Sequence, residues 1–246
     1  SLTIEGVRIV VDSGYRRMPV YEPATGMTSL ATRRVSRAGA DQRRGRAGRT
    51  SPGVCIRLWH QGQSAALEPF ETPEILAADL SGLLLDLASW GVTDAKALAF
   101  LDPPPGPAWA EAKALLSRLD AIDQVGHLTP AGKALSRLPL HPRLAHMVVA
   151  GAEDGDAQTA AELAVLIGER GLGGDDTDLG RRLERFRTDR SRRAEEARSL
   201  ARRWAKLAGG SSGEDLSAGH HLARAFPDRV AQSTGARGRF RLANGR

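Results

Sequence analysis

Hydrophobic and polar positions are spaced differently before and after residue 68, and the change predicts an α/β part followed by a mostly helical part. In the first part, short runs rich in Val and Ile are typical of buried parallel strands. Turn-forming residues at 23–26 separate two further runs and predict a β-hairpin. The predicted elements are, in chain order, a strand over 7–11, hairpin strands over 17–21 and 27–32, a helix capped by Ser36 that ends near Arg46, and a strand over 54–59.

Beyond residue 68, apolar residues recur at the three-to-four-residue spacing of helices. Thr72 and Pro73 predict a helix start, and the leucines that follow predict a buried stripe that continues as far as Trp90. A short strand over 126–128 predicts the wing of a winged-helix module. Further helices are predicted to begin near Trp109, Thr129, Pro142, Asp156 and Leu179, and the last is an Arg-rich helical segment that reaches Leu207.

Composition is that of an ordinary globular protein, since 41% of the 246 residues are hydrophobic and 26% are charged. The one cysteine, Cys55, cannot form an internal disulfide, so nothing indicates an oxidising compartment. The apolar stretches are far shorter than the ~20 residues that span a bilayer, which excludes a membrane protein. We therefore expect a cytoplasmic protein, and no cluster of Cys or His has the spacing that would predict a metal site.

Charge is distributed unevenly along the chain, whose net charge is +6. Residues 1–57 carry a net charge of +7, residues 58–180 of −11 and residues 181–246 of +10. Arg outnumbers Lys by 31 to 4. Arginine suits bidentate recognition of phosphate, although GC-rich coding would produce the same ratio. The basic ends therefore indicate a phosphate-bearing partner only where a motif supports one.

The segment with the most specific chemistry is QRRGRAGR at residues 42–49. On a helix, Gln42, Arg46 and Arg49 stand at positions i, i+4 and i+7 and project from one face. Two guanidinium groups at this spacing suit the oxygens of a transferring phosphoryl group, and the glutamine suits the attacking water. Each glycine of the segment costs a helix roughly 1 kcal/mol relative to alanine, which fits a face that a ligand or another backbone approaches closely. A solvated basic helix is the alternative.

This segment resembles motif VI of superfamily 2 helicases, and residues 1–12 resemble the second half of motif V in the DEAH-box branch. Strings at 101–104 and 128–144 occur in the same order in that family. The run 73–90 and the ending at 240–245 are most similar to the bacterial HrpB type. The chain therefore resembles a C-terminal fragment of a DEAH-box ATP-dependent RNA helicase of the HrpB type.

The resemblance implies a fold that is α/β and then mostly α. It implies a partial RecA-like domain 2, with parallel strands and a β-hairpin, followed by a winged helix and a helical ratchet domain. The implied bounds are 1–67 for the C-terminal part of the RecA-like domain, 68–140 for the winged helix, 141–236 for the ratchet domain and 237–246 for the start of a truncated OB-like domain.

The resemblance also implies an ATP-driven motor that acts on single-stranded RNA or DNA. Arg46 and Arg49 would be arginine fingers that reach the γ-phosphate, and Gln42 would lie beside the nucleophilic water. Thr3 and Glu5 would lie near the nucleotide, although many family members have Asp in place of Glu5. ATP with Mg²⁺ would be bound mainly by the missing N-terminal RecA domain.

Two elements are assigned to nucleic acid by the resemblance, the hairpin over about residues 16–34 and the helix over 190–207. A solvated helix face with acidic pairs is the alternative for the second. The candidate contacts are Arg16, Arg33 and Arg34 in the hairpin, and Arg192, Arg193 and Arg202 in the helix.

Two motifs that ATP hydrolysis requires are missing from the sequence: a G-x-x-x-x-G-K-[ST] phosphate loop and a DEAH string. Because arginine fingers only complete a site that already holds phosphate and Mg²⁺, we expect this chain alone to be inactive as an ATPase. The alternative function is a non-enzymatic nucleic-acid-binding or adaptor module of winged-helix plus basic helical type. A winged-helix transcription regulator is disfavoured because residues 68–140 are net acidic.

Overall fold

The computed structural model describes residues 6–22, 27–210 and 216–243 of the chain. Two compact units are present, one formed by residues up to 80 together with 98–109, the other by residues 81–97 and those from 110 onwards. These units do not follow the domain bounds at 67 and 140 that the sequence analysis set. The first unit contains β1 (Ile9–Asp12), β2 (Tyr15–Glu22), β3 (Met27–Arg34), α1 (Arg37–Ala47) and β4 (Val54–Arg57).

The first unit has the predicted strand, hairpin, helix and strand order. Strands β1 and β4 pair in parallel, with Ile9 opposite Val54. Strands β2 and β3 form an antiparallel hairpin in which Tyr15 lies opposite Arg34. The prediction of parallel strands plus a hairpin is therefore confirmed, although β4 ends at Arg57 rather than at residue 59.

One face of the β1–β4 pair is apolar and open. Ile9, Val11, Val54 and Ile56 alternate along the two strands and are 48–67% exposed. Helix α1 packs against both strands, and Val35, Ala40 and Leu67 form a small buried cluster with Trp59 beside it. Parallel sheets are usually covered on both faces, so the open face is unusual for this kind of sheet.

A glycine permits the close approach of the chain between α1 and β4. A Cβ atom on Gly53 would lie 2.0 Å from the carbonyl oxygen of Ala47 and 2.8 Å from that of Arg8. No side chain fits at that distance, so the chain can pass the end of α1 and enter β4 only with glycine at this position. Gly53 thereby keeps the end of α1 close to the sheet.

The rest of the chain is mostly helical, as predicted. Helices α5, α6, α8 and α9 pack against one another, and their core contains side chains with almost no solvent exposure, such as Met147, Leu163 and Phe186. The elements are α2 (Ser81–Ser89), α3 (Gly106–Arg118), α4 (Pro130–Leu135), α5 (Pro142–Glu153), α6 (Ala157–Gly168), α7 (Leu179–Thr188), α8 (Arg192–Leu207), α9 (Ala218–Ala225), β5 (Ala231–Ser233) and β6 (Phe240–Leu242).

The helix predicted to start at Thr72 and continue to Trp90 was wrong in both extent and burial. Only a single 3₁₀ turn, Glu74–Leu76, follows Pro73, and α2 begins at Ser81. Helix α2 buries Leu84, Leu85, Leu87 and Ala88, whereas the side chain of Trp90 is 76% exposed. Periodic leucines predicted the helix, but its interruption and its buried face depend on what packs against it.

Three smaller differences concern element ends. The predicted wing is limited to an isolated bridge between Ile122 and Leu128. The Arg-rich segment is two helices, because α7 ends at Thr188 and the side chain of Ser191 caps α8 by accepting from the amide of Ala194. The C-terminal hairpin begins with β5 at Ala231, before residue 237, where the sequence analysis set the start of the last segment.

Candidate nucleotide-facing helix

Helix α1 contains residues 42–47 of the QRRGRAGR segment, and its first turn is fixed by a cap and by a neighbouring segment. The Ser36 hydroxyl accepts from the amide of Gly39 at 2.9 Å, as an N-cap residue should. The amides of Arg37 and Ala38 donate to the carbonyl oxygens of Glu68 and Pro69 at 2.8 and 3.1 Å. The predicted cap is confirmed, and the start of α1 is held by the chain that follows β4.

The two faces of α1 have different environments. Ala40 and Ala47 are buried, whereas Gln42 and Arg46 are exposed on the opposite face. Arg49 is also exposed, and it lies just beyond Gly48, the C-cap of the helix. A Cβ atom added at Gly45 or Gly48 would meet nothing within 4 Å. The outer face of α1, defined here as Gln42, Gly45 and Arg46, is therefore accessible to a large ligand.

Three charged residues of α1 form ion pairs within the same unit: Asp41, Arg43 and Arg44. Arg43 Nη1 lies 2.7 Å from Asp12 Oδ1, and Asp41 Oδ1 lies 2.7 Å from Arg57 Nη2 and 3.6 Å from Arg44 Nη2. The hydrogen bond from Arg57 outweighs partial burial and holds the pKa of Asp41 below its usual value. These ion pairs help to hold α1 in place within the first unit.

Thr3 and Glu5, the other candidate nucleotide contacts, lie outside the described residues. The pairing of Arg43 with Asp12 was not predicted from the sequence. Its partner Asp12 did carry a signal, since it is a charged residue placed directly at the end of an apolar strand, 31 positions before Arg43. Nothing in the local pattern, however, predicts which arginine would reach it.

Of the candidate nucleic-acid contacts in the hairpin, two have internal partners. Arg16 forms an ion pair with Glu71, and the guanidinium of Arg34 lies over the ring of Tyr15, 5.0 Å from its centroid. Arg33, which is opposite Arg16 in the register, is exposed and has no carboxylate partner among the described residues. The three arginines therefore do not have equal access to a ligand.

Two of the candidate arginines of α8 also have internal partners, whereas the third is exposed without a carboxylate partner among the described residues. Arg192 pairs with Glu196 at 2.9 Å, and Arg193 donates to the carbonyl oxygen of Arg170 at 2.5 Å. Arg202 is exposed and pairs with no carboxylate of the described residues. Arg203 and Lys206 share its exposed side of the helix, opposite the buried alanines of α8. The basic end of α8 therefore comprises Arg202, Arg203 and Lys206.

Ionic contacts also hold α9 and the turn after it. Asp156 is 2% exposed and accepts from His221 Nε2 and from the amide of Leu216 at 3.0 and 2.8 Å. Asp154 Oδ2 lies 2.8 Å from His220 Nε2 and 3.0 Å from Arg224 Nη2. Its hydrogen bond with His220, followed by those from Arg224, lowers the pKa of Asp154 despite partial burial. These groups are used for packing α9.

Metal ligands and membrane-spanning helices were the remaining features considered in the sequence. No group of three or more His, Cys, Asp or Glu side chains within the described ranges is arranged to hold a metal ion. Among the same residues, no helix is long and apolar enough to cross a membrane.

Comparison with known proteins gives consistent similarities. Residues 114–140 match the helicase-associated domain (HA2) winged-helix family. The chain is 40% identical over 245 residues to the ATP-dependent RNA helicase HrpB of Escherichia coli (strain K12). Two solved structures are 38% identical to it: the Escherichia coli DExH-box NTPase HrpB has a TM-score of 0.78, and the Escherichia coli DEAH/RHA helicase HrpB has a TM-score of 0.82.

These matches cover the chain almost completely but the relatives only in part. The alignment includes 100% of this chain and 29% of the HrpB sequence, and the structural matches cover 99% of this chain and 29% or 30% of the solved chains. The resemblance inferred from the motifs is therefore confirmed. On sequence identity, fold and the winged-helix match together, the chain is similar to HrpB-type helicases over almost its whole length, and it spans somewhat less than a third of the length of these relatives.

Proposed function

We propose that this chain is part of an ATP-dependent RNA helicase that couples nucleotide hydrolysis to single-strand translocation and duplex unwinding. In this proposal Gln42, Arg46 and Arg49 face a nucleotide that another domain binds. The observation that carries it is the exposed face of α1, on which Gln42 and Arg46 both lie.

The proposed chemistry follows from the residue types. Arg46 and Arg49 stabilise the negative charge that develops on the γ-phosphoryl oxygens, and Gln42 orients the attacking water. Thr3 and Glu5 contact the nucleotide in this proposal on the strength of the family resemblance. Mg²⁺ and the phosphates are bound by the domain that carries the phosphate loop, and we assign no metal ligand to the described residues of this chain.

The open face of the β1–β4 sheet supports the proposal that these strands belong to a larger RecA-like domain. Four apolar side chains on that face are about half exposed or more. Covering them with a further helix or strand would remove this apolar surface from water, which is favourable. We therefore propose that the segment up to residue 67 completes its fold with elements of the longer protein.

For nucleic acid we propose the hairpin and the basic end of α8 as contacts. Arg33 and Arg202 are exposed and have no carboxylate partner among the described residues. Each arginine contact to a single-strand phosphate is expected to make the slope of log K against log salt about 0.7 units steeper. Arg16, Arg34, Arg192 and Arg193 must first give up internal contacts.

The test uses a longer polypeptide that joins this chain to a domain with a phosphate loop. Its nucleic-acid-stimulated ATP turnover is measured with Arg46→Ala and Arg49→Ala, and each is expected to lower kcat by about 10³-fold or more while ATP still binds. Arg44→Ala is the matched control, since Arg44 is exposed and Asp41, at 3.6 Å, is its only ion-pair partner within the part of the chain that the structure describes. The chain alone is expected to show no turnover.

Two outcomes would count against the proposal. Normal turnover in Arg46→Ala and Arg49→Ala would reject the finger assignment. A longer polypeptide that binds single strands in a salt-dependent way but never hydrolyses ATP would favour the non-enzymatic binding or adaptor module instead.

A further inference from the structure

Asp12 is a carboxylate at the end of β1 that is shielded from water and only partly hydrogen-bonded. Its side chain is fully buried. Oδ1 accepts from the amide of Gly14 at 2.9 Å and from Arg43 Nη1 at 2.7 Å, while Oδ2 is buried with no hydrogen-bond partner among the described residues. An ionised carboxylate in such a place requires a nearby positive charge. Arg43 supplies that charge, which restricts where α1 can lie.

The same nitrogen of Arg43 also contacts the hairpin. Nη1 donates to the carbonyl oxygen of Tyr15, the first residue of β2, at 3.1 Å. The amide of Val35, which follows β3, donates to the carbonyl oxygen of Gly14 at 2.9 Å. We define the base of the hairpin as Gly14, Tyr15 and Val35. One hydrogen bond joins its two sides, and another joins it to α1.

A second connection joins the hairpin to the start of α1. Glu71 forms an ion pair with Arg16 of β2. Its Oε1 accepts from the Ser36 hydroxyl at 2.9 Å and from the Ser36 amide at 3.3 Å, and Ser36 is the N-cap of α1. The hairpin is thus linked to α1 at the cap and again, through Arg43, along the helix.

We propose that Arg43 is a positioning residue that fixes the outer face of α1 relative to the base of the hairpin. The inference rests on the proposed function, in which the outer face meets the nucleotide and the hairpin meets nucleic acid. Arg43 itself points to the Asp12 side of the helix and contacts neither ligand. Arg43 acts on turnover only through the placement of Gln42 and Arg46.

The first test is amide hydrogen exchange in the 246-residue chain, which requires no enzyme activity. Arg43→Ala is expected to speed exchange at the base of the hairpin about tenfold, because the buried Asp12 loses its counter-charge and the link to Tyr15 is removed. Arg44→Ala, one residue along the same helix, is the control and should leave these rates within about twofold of wild type. Equal rates in the two variants would overturn the proposal.

Two further variants keep the proposal testable if Arg43→Ala does not fold. Arg43→Lys keeps the positive charge and is expected to restore most of the protection at Gly14 and Val35. The double variant Asp12→Asn/Arg43→Gln replaces the ion pair with a neutral hydrogen bond, so it avoids an unpaired buried charge. It should fold while still exchanging faster than wild type at Tyr15; wild-type rates there would overturn the proposal.

The second test measures nucleic-acid-stimulated ATP hydrolysis in the longer polypeptide. Arg43→Ala is expected to lower kcat about tenfold and leave KM for ATP within about twofold, since an indirect role lowers transition-state stabilisation without removing a nucleotide contact. Arg43→Lys should recover most of kcat. A large rise in KM with unchanged kcat would mean direct nucleotide contact and would overturn the positioning role. If the wild-type polypeptide shows no ATPase, the proposed function fails, whereas the exchange test still decides whether Arg43 holds the hairpin.

Discussion

Replacing Arg143 with alanine should strongly destabilise the second unit, because its guanidinium is the counter-charge of a nearly buried carboxylate. Arg143 Nη1 lies 2.5 Å from Asp228 Oδ1, and Nη2 lies 3.2 Å from Asp228 Oδ2. Nη1 also donates to the carbonyl oxygen of Ala225 at 3.1 Å, and the guanidinium lies over the ring of Phe226. The side chains of Arg143 and Asp228 are only 7% and 11% exposed.

The expected magnitude follows from these contacts. Removing one partner of a buried ion pair costs about 3–5 kcal/mol, and the lost bond to Ala225 adds about 1 kcal/mol. Water that enters the vacated space will solvate Asp228 in part, so we expect a loss near the lower end, about 3 kcal/mol. For a protein of this length the melting temperature should fall by roughly 6–12 °C.

The pKa of Asp228 provides a second signature. Burial alone would raise this pKa, but the hydrogen bond and charge of Arg143 outweigh burial and hold it below the usual value. A carboxyl group with a lowered folded-state pKa contributes stability above its unfolded pKa and loses it as pH falls through the folded value. Wild type should therefore lose this contribution in acid, and Arg143→Ala should lack it already at neutral pH.

The assay is urea unfolding followed by far-UV circular dichroism, with Arg137→Ala as a control. Arg137 is exposed and has no carboxylate partner among the described residues, so its loss should change stability by less than about 0.5 kcal/mol. A cycle of Arg143→Ala, Asp228→Ala and the double variant should be strongly non-additive. A loss below about 1 kcal/mol for Arg143→Ala, or additivity in the cycle, would refute the reasoning.

Three further predictions concern pH, backbone and surface. Burial lowers the pKa of His146, whose Nδ1 lies 2.9 Å from the carbonyl oxygen of Arg224. Because the imidazole of the unfolded chain therefore binds a proton at higher pH than that of the folded chain, the free energy of unfolding should fall as pH drops below about 6.5. His146→Asn should make the free energy of unfolding less dependent on pH in this range. Gly53→Ala should cost several kcal/mol in urea unfolding of the first unit, since its Cβ would overlap the Ala47 carbonyl at 2.0 Å; a near-neutral result would contradict that geometry. Trp90→Ala should change the midpoint of unfolding little, because the side chain is 76% exposed, and a loss above about 2 kcal/mol would indicate a buried role instead.

Local sequence patterns determined the elements of this chain wherever neighbouring residues decide the conformation. Ser36 was predicted to cap one helix and Thr129 to start another, and each side chain accepts from an amide three residues on. The hairpin followed from alternating strands around a turn-forming quartet, and the outer face of α1 followed from helical spacing. Caps, turns and faces depend on contacts within a few residues, so they are present in the sequence itself.

Only the tertiary structure decided which charged side chains form internal pairs and which aromatic side chains are buried. Arg43 is bonded to a carboxylate 31 positions away, Arg143 to one 85 positions away, and Arg16 to Glu71 rather than facing outward. Trp90 shares its residue type and helical spacing with buried Trp204, yet it is exposed. These outcomes depend on which distant segments pack together and which buried charges need partners, and helical or strand spacing contains neither kind of information.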